Sequence, residues 1–165
     1  MIRQRAYVGV GSNLDGPVDR VRQALDALAR LPGTALRAAS ALYRNPPMGP
    51  TDQPHYVNAV AELDTELDAR SLLAGLQAIE AGHGRLRKRR WGPRTLDLDL
   101  LLLGDRRSDT PDLKLPHPGV ADRAFVLVPL AEIAPDLEIP GFGAVAALCK
   151  ALPEQDRAGL ERVSS

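Results

Sequence analysis

The sequence predicts one mixed α/β domain, and two observations carry that expectation. Stretches of period-two alternation interleave with stretches of helical spacing, and 165 residues at 44% hydrophobic content suffice for one real core but not comfortably for two. Residues 1–165 therefore read as a single domain, with 152–165 as a polar tail. The 21 basic and 21 acidic residues cancel, which removes any whole-molecule attraction to nucleic acid or an anionic membrane. Cys149 is the only cysteine, so the sequence contains neither an internal disulfide framework nor a cysteine zinc cluster, as suits a reducing cytoplasm. The start of the chain is too short and glycine-broken for a signal segment, and no apolar run approaches membrane-spanning length. A soluble cytoplasmic protein is expected, without nucleic-acid or membrane partners, and as a monomer because nothing demands a partner.

Ala6 to Val10 predicts a short strand, broken by the turn formers from Gly11 to Pro17. Val18, Val21, Leu25, Leu28 and Leu31 then recur at helical spacing until Pro32-Gly33. A strand, a Gly-Ser-Asn turn and a helix can form an anion nest, but the glycine pattern is neither a P-loop nor a dinucleotide fingerprint, which favours a plain turn. Thr34 to Tyr43 alternates through Leu36, Ala38, Ser40 and Leu42 as a second strand, and Asn45-Pro46-Pro47-Met48-Gly49-Pro50 forbids further ladder pairing. Four prolines stiffen the loop from Arg44 to Pro54. Such a backbone can present its amides and carbonyls to a flat ligand at little ordering cost, or simply run solvated over the surface. Tyr56 to Leu63 places Val57, Ala59, Ala61 and Leu63 on one face and Tyr56, Asn58, Val60 and Glu62 on the other. Tyr56 and Asn58 together can hold a planar heterocycle, although a buried Tyr with an Asn partner is as common structurally. Asp68 can cap a helix whose stripe is Leu72, Leu73, Leu76 and Ile79, with Gly82 or Gly84 at its exit; Gln77 and Glu80 lie off that stripe as a solvated face.

The most informative stretch runs from Arg85 to Asp99. Six cations, five of them Arg, fall between Arg85 and Arg94 without an acid among them, in a segment that has no apolar period and ends in Trp91-Gly92-Pro93. Guanidinium groups offer forked donors to phosphate, against the alternative of a solvated charged loop. Trp91 can stack on a flat ring or anchor the loop. Thr95 to Leu103 is the clearest strand, with Asp97 and Asp99 on one face and Leu98, Leu100 and Leu102 on the other. Two neighbouring carboxylates repel unless a cation lies between them, and an oxygen-only pair beside phosphate donors suits Mg²⁺ better than zinc. The stretch points to a Mg-nucleotide site. Beyond it, Gly104 to Thr110 reads as a polar turn and Lys114 to Gly119 as a rigid segment with one histidine. A helix through Val126, Leu127, Leu130 and Ile133 should be limited or kinked by Pro129, and Ile139 to Leu148 can add a short strand and helix.

These blocks, in this order, resemble the 6-hydroxymethyl-7,8-dihydropterin pyrophosphokinases of the folate pathway. They are Gly11-Ser12-Asn13-Leu14; Tyr43-Arg44 with Pro46-Pro47 and Gly49-Pro50; Asp52-Gln53-Pro54 with Tyr56 and Asn58; Arg85 and Arg87 leading to Arg90-Trp91-Gly92-Pro93-Arg94-Thr95-Leu96-Asp97-Leu98-Asp99; and Pro116-His117 with Arg123 and Phe125. The resemblance implies a ferredoxin-like fold, an antiparallel sheet flanked by helices, and transfer of pyrophosphate from ATP to the pterin hydroxymethyl group with release of AMP. It implies that Asp97 and Asp99 hold two Mg²⁺ ions and that Arg85 and Arg94 assist the transfer. ATP would be lined by Gln77, Glu80, Arg87, Trp91, Arg94, Leu100, Lys114, His117 and Arg123. The pterin would lie between Tyr56 and Phe125, with Asn45, Pro46, Pro47, Met48, Asn58, Trp91 and Asp97 around it. Asp112, Lys114 and Pro118 depart from the family pattern on the ATP side, as Asn45 and Met48 do on the pterin side. An RNA-binding module is the competing expectation, since a sheet with a basic loop is a known RNA platform, and the Asp pair opposes it.

Overall fold

A computed structural model of the chain describes residues 3–13, 16–45, 56–82 and 96–163. The N-terminal half runs β1 (Gln4–Ser12), α1 (Pro17–Ala29), β2 (Thr34–Ala39), β3 (Tyr43–Asn45), β4 (Tyr56–Thr65) and α2 (Ala69–Gly82). The C-terminal half runs β5 (Asp97–Leu103), β6 (Ser108–Thr110), β7 (Leu113–Leu115), α3 (Ala124–Ile133), β8 (Glu138–Ile139), β9 (Gly143–Ala144), α4 (Val145–Lys150), α5 (Glu154–Ala158) and β10 (Glu161–Arg162). The main sheet is antiparallel in the order β10-β3-β4-β1-β5, with β2 also paired to β4. Taking β2 and β3 as two pieces of one edge position, this is the ferredoxin-like order, with helices on both faces.

Period-two alternation decides the layers. Ala6, Val8 and Val10 of β1, Val57, Ala59, Ala61 and Leu63 of β4, and Leu98 and Leu100 of β5 face α1 and α2, whose Val21, Leu25, Leu28, Leu72 and Leu76 close that core. The opposite face carries Tyr7, Val60, Leu101 and Leu102 against Leu127 and Leu130 of α3 and Val145 of α4. The α3 and α4 layer seals one end of this face. At the other end the sheet face carries Gly9, Gly11, Asn58, Asp97 and Asp99.

Several expectations are corrected. The first strand does not stop at Val10: Gly11 and Ser12 continue it, because Gly11 pairs with both Asn58 and Asp97. The second strand is interrupted after Ala39: the Ser40 N–H still donates to the Val60 carbonyl at 2.9 Å, but the Val60 N–H donates to the Ser40 hydroxyl at 2.9 Å, and that hydroxyl donates to the Ala41 carbonyl. Leu102 does not share a face with Leu98 and Leu100. The β1–β5 register slips between Tyr7 and Val8, pairing Tyr7 with Leu102 and Val8 with Leu100, so Leu101 is the extra residue of a bulge and Leu103 returns to the α1–α2 side. The polar turn is partly a hairpin, β6 with β7. Of the two effects expected of Pro129, it does not limit α3, which continues to Ile133, although the missing N–H leaves the Phe125 carbonyl without its helical donor. The polar tail contains α5 and β10, and β10 joins the main sheet at β3, with Val163 N–H donating to the Leu42 carbonyl at 2.8 Å.

Candidate active site

The uncovered end of the sheet face is a cavity of about 190 Å³. Its floor is β1, where Gly9 and Gly11 present no side chains. Gly9 stands opposite Asp99, and Gly11 stands between Asp97 and Asn58, so the absence of two Cβ atoms creates the room that the flanking functional groups surround. Both carboxylates come from β5, Tyr56 and Asn58 from β4, and Arg123 and Phe125 from the start of α3. Within the sheet, Asn58 Nδ2 donates to Asn45 Oδ1 at the end of β3. The two side chains are more than nine-tenths buried, so this amide pair is a fixed polar edge on a largely apolar pocket.

Charge is divided across the site. Asp99 is exposed, and Arg123 lies with its guanidinium 5.8 Å from the centroid of the Phe125 ring. His117 is tied to β5 by its backbone N–H, which donates to the Leu101 carbonyl at 2.9 Å, while its Nδ1 accepts the Gly119 N–H at 3.0 Å. The bare Nδ1 fixes the neutral ring with its proton on Nε2. Burial pushes the His117 pKa below the ordinary value; the Asp99 carboxylate pulls it up and Arg123 pushes it further down.

Of the residues named from sequence, Asn45, Tyr56, Asn58, Asp97, Asp99, Arg123 and Phe125 line one cavity, with His117 in the electrostatic field of Asp99 and Arg123. Glu80 is not merely a solvated position: its Oε2 accepts the Leu98 N–H at 2.8 Å, docking α2 on the strand that carries the carboxylates. Gln77 is exposed on α2. Leu100 points into the core on the α1–α2 side, so its side chain does not face the cavity. Lys114 pairs with Asp109 at 3.0 Å on the β6–β7 hairpin, and Asp112 with Arg70. Pro46, Pro47, Met48, Arg85, Arg87, Trp91 and Arg94 lie outside the described residues. Gly9, Gly11 and Leu101 line the cavity without having been singled out as ligand contacts; the Gly-Val-Gly spacing at period two was the available signal.

Asp97 and Asp99 form an oxygen-only donor pair, and among the described residues no cluster of three or more His, Cys, Asp or Glu side chains could hold a metal by itself. Such a pair fits Mg²⁺, which keeps water and phosphate in its shell, better than an all-protein zinc cage. Among the described residues no helix is long and apolar enough to cross a membrane.

Comparison with known proteins converges on one family. The family model described as 7,8-dihydro-6-hydroxymethylpterin-pyrophosphokinase matches residues 7–135. The chain is 52% identical over 160 residues to the 2-amino-4-hydroxy-6-hydroxymethyldihydropteridine pyrophosphokinase of Pseudomonas aeruginosa, covering 97% of each chain. The enzyme of that name from Haemophilus influenzae is 48% identical over 145 residues, covering 88% of this chain and 91% of the relative. Among solved structures, an HPPK-DHPS chain in complex with substrates superposes with a TM-score of 0.76 at 12% identity, covering all of this chain and 47% of the longer one. The wild-type Plasmodium falciparum HPPK-DHPS with pteroate gives a TM-score of 0.67 at 13% identity, covering 90% of this chain and 42% of that one. These two structures bear on the fold alone.

Proposed function

The chain belongs to the 7,8-dihydro-6-hydroxymethylpterin-pyrophosphokinase family, and on that premise we propose that it transfers the pyrophosphoryl group of ATP to the hydroxymethyl group of 6-hydroxymethyl-7,8-dihydropterin, releasing AMP, as a step of folate biosynthesis. The observation that carries this reading is the cavity in which two aromatic rings and a fixed amide pair face two carboxylates across a glycine floor. Tyr56 and Phe125 are suited to bracket a flat heterocycle, and the amides of Asn58 and Asn45 to meet its donor and acceptor edge.

Asp97 and Asp99 would hold Mg²⁺ together with the triphosphate, and two ions are expected; bound there, Mg²⁺ supplies neutralisation of phosphate charge. The pterin hydroxyl attacks the β-phosphorus, the bond from that phosphorus to the α-phosphate oxygen breaks, and AMP leaves. The hydroxyl proton goes to solvent. The chain's contribution is positional: the acceptor is held at the carboxylate end of the sheet, with Arg123 and His117 on the nucleotide side. Arg85 and Arg94 are proposed to stabilise the transferring group, Arg87 and Trp91 to cover the nucleotide, and Pro46, Pro47 and Met48 to complete the pterin wall. Gln77 and Glu80 on α2 are assigned to the ATP side, with Leu100 contributing backbone and Lys114 side-chain contact. Among the described residues Phe142 is the only exposed large hydrophobic side chain, which supports action as a monomer.

The test is to mix the protein with Mg²⁺, ATP and 6-hydroxymethyl-7,8-dihydropterin and measure AMP. Pterin-dependent AMP is expected, and Asp97→Ala should reduce its rate by about a hundredfold or more. An unchanged rate in that variant, or AMP formation independent of pterin, refutes the proposal. RNA binding with a steep salt slope would favour the competing module.

A further inference from the structure

Two walls of the cavity come from elements distant in sequence. Asn45 closes β3, and Phe125 stands in the first turn of α3. One side chain outside the cavity ties these elements together. Glu132, in the last turn of α3, accepts the Tyr43 hydroxyl through Oε1 at 2.6 Å and the Ala41 backbone N–H through Oε2 at 2.9 Å. Ala41 lies in the break of the sheet edge between β2 and β3, and Tyr43 is the first residue of β3. A single carboxylate therefore spans that break and fixes where β3 begins relative to α3.

The coupling to the cavity is short. Tyr43 is buried and Glu132 is exposed, so the Tyr43 hydroxyl meets its carboxylate at the partly buried rim of the seam between β3 and α3. Burial, and then the Glu132 carboxylate, push its pKa up to about 12, so the hydroxyl remains a donor at any physiological pH. Two residues along β3 is Asn45, whose Oδ1 accepts the Asn58 amide; Tyr43 itself pairs with Asn58 in the sheet register. Toward its other end, α3 carries Phe125 and the Arg123 guanidinium over it.

We propose that Glu132 is a positioning residue for the acceptor substrate: by holding Tyr43 and Ala41 it sets the spacing between the Asn45–Asn58 amide edge and the Phe125 wall. The proposal rests on the reading of this cavity as the pterin site. Glu132 does not line the cavity, and the elements it ties together carry the amide edge and the Phe125 wall, so its removal alters acceptor recognition rather than nucleotide binding.

Three variants and two readouts test it. Glu132→Ala should raise the pterin KM about tenfold and leave the ATP KM within about twofold. Tyr43→Phe, which removes one of the two hydrogen bonds, should give a smaller rise, and Glu132→Gln, which keeps an oxygen acceptor, should recover part of the loss. In the ligand-free protein, the side-chain amide resonances of Asn45 and Asn58 should shift in Glu132→Ala. Unmoved amides, or a lowered Tm with an unchanged pterin KM, would overturn the inference. If the wild type forms no pterin-dependent AMP, the proposed function fails, while the amide resonances still decide whether Glu132 positions Asn45.

Discussion

Gly9 and Gly11 face the cavity from the same strand, yet an added methyl group would meet different neighbours at the two positions. A Cβ on Gly11 would lie 2.6 Å from Asn58 Oδ1, and the Asn58 amide is already tied to Asn45, so the amide edge has to give way. At Gly9 the nearest atoms belong to the Leu101 side chain at 3.6 Å, an ordinary contact. Gly11→Ala is therefore expected to cost about 1–3 kcal/mol of stability in urea unfolding and to raise the pterin KM about tenfold. Gly9→Ala should unfold like the wild type and raise the pterin KM less. Equal stability losses in the two variants would contradict the assignment of Gly11 as the close-approach position. His117 gives a prediction of another kind. Burial, with Arg123 in the same direction and Asp99 opposing, holds its folded pKa below the ordinary value. The unfolded chain therefore binds the proton more readily: this contribution to stability is complete above about pH 6.5 and is lost as pH falls toward the lowered folded value. Urea midpoints of the ligand-free protein should decline below about pH 6.5, and His117→Asn should flatten that decline.

Elements differ in how much of their origin is local. The start of α2 is set by Asp68, whose Oδ1 accepts the Ser71 N–H at 2.8 Å, and that donor holds the Asp68 carboxyl below the usual carboxylate range. The depressed pKa makes the cap effective above the ordinary aspartate range and ineffective once pH falls through the folded value. Asp68→Ala should lower Tm at neutral pH, lose that effect in acid, and leave the pterin KM unchanged; a Tm difference that persists in acid would contradict the cap. This element is legible in sequence because cap and stripe lie within one stretch of chain. The faces of β4 are legible too, since Tyr56 and Asn58 alternate with small apolar residues. In β5 the leucine run hides the bulge: Leu100 to Leu103 are all apolar, so the sequence offers no polar marker for the slip at Leu101. Gly11 reads as a strand breaker, whereas the ladder to β4 and β5 keeps it extended. The three-residue strands β6 and β7 and the two-residue β10 are too short for a pattern to declare itself, and β10 is held through its backbone against β3.

At the scale of the molecule, one sheet separates a structural core from a functional one. The α1–α2 layer packs on the face away from the cavity, whereas α3 both seals the opposite core and carries Phe125 and Arg123 into the site. A layered arrangement of this kind tolerates exchange of apolar side chains while volume and pattern are kept, in accord with a TM-score of 0.76 at 12% identity. It also predicts that two equivalent core truncations will differ in function. Leu28 of α1 and Leu127 of α3 are each fully buried, at 0% exposure, on opposite faces of the sheet. Cutting either to Ala removes similar apolar volume and should cost about 2–5 kcal/mol. Because both layers share the sheet, each variant should still unfold in a single transition, with near-UV and far-UV dichroism coincident in urea. The pterin KM of folded Leu28→Ala should match the wild type. That of Leu127→Ala should rise several-fold, because a loosened seat lets α3 shift Phe125 against the amide edge. If Leu28→Ala raised the KM as much as Leu127→Ala, the sheet would not insulate the site from the α1–α2 core, and the division of labour between its two faces would be wrong.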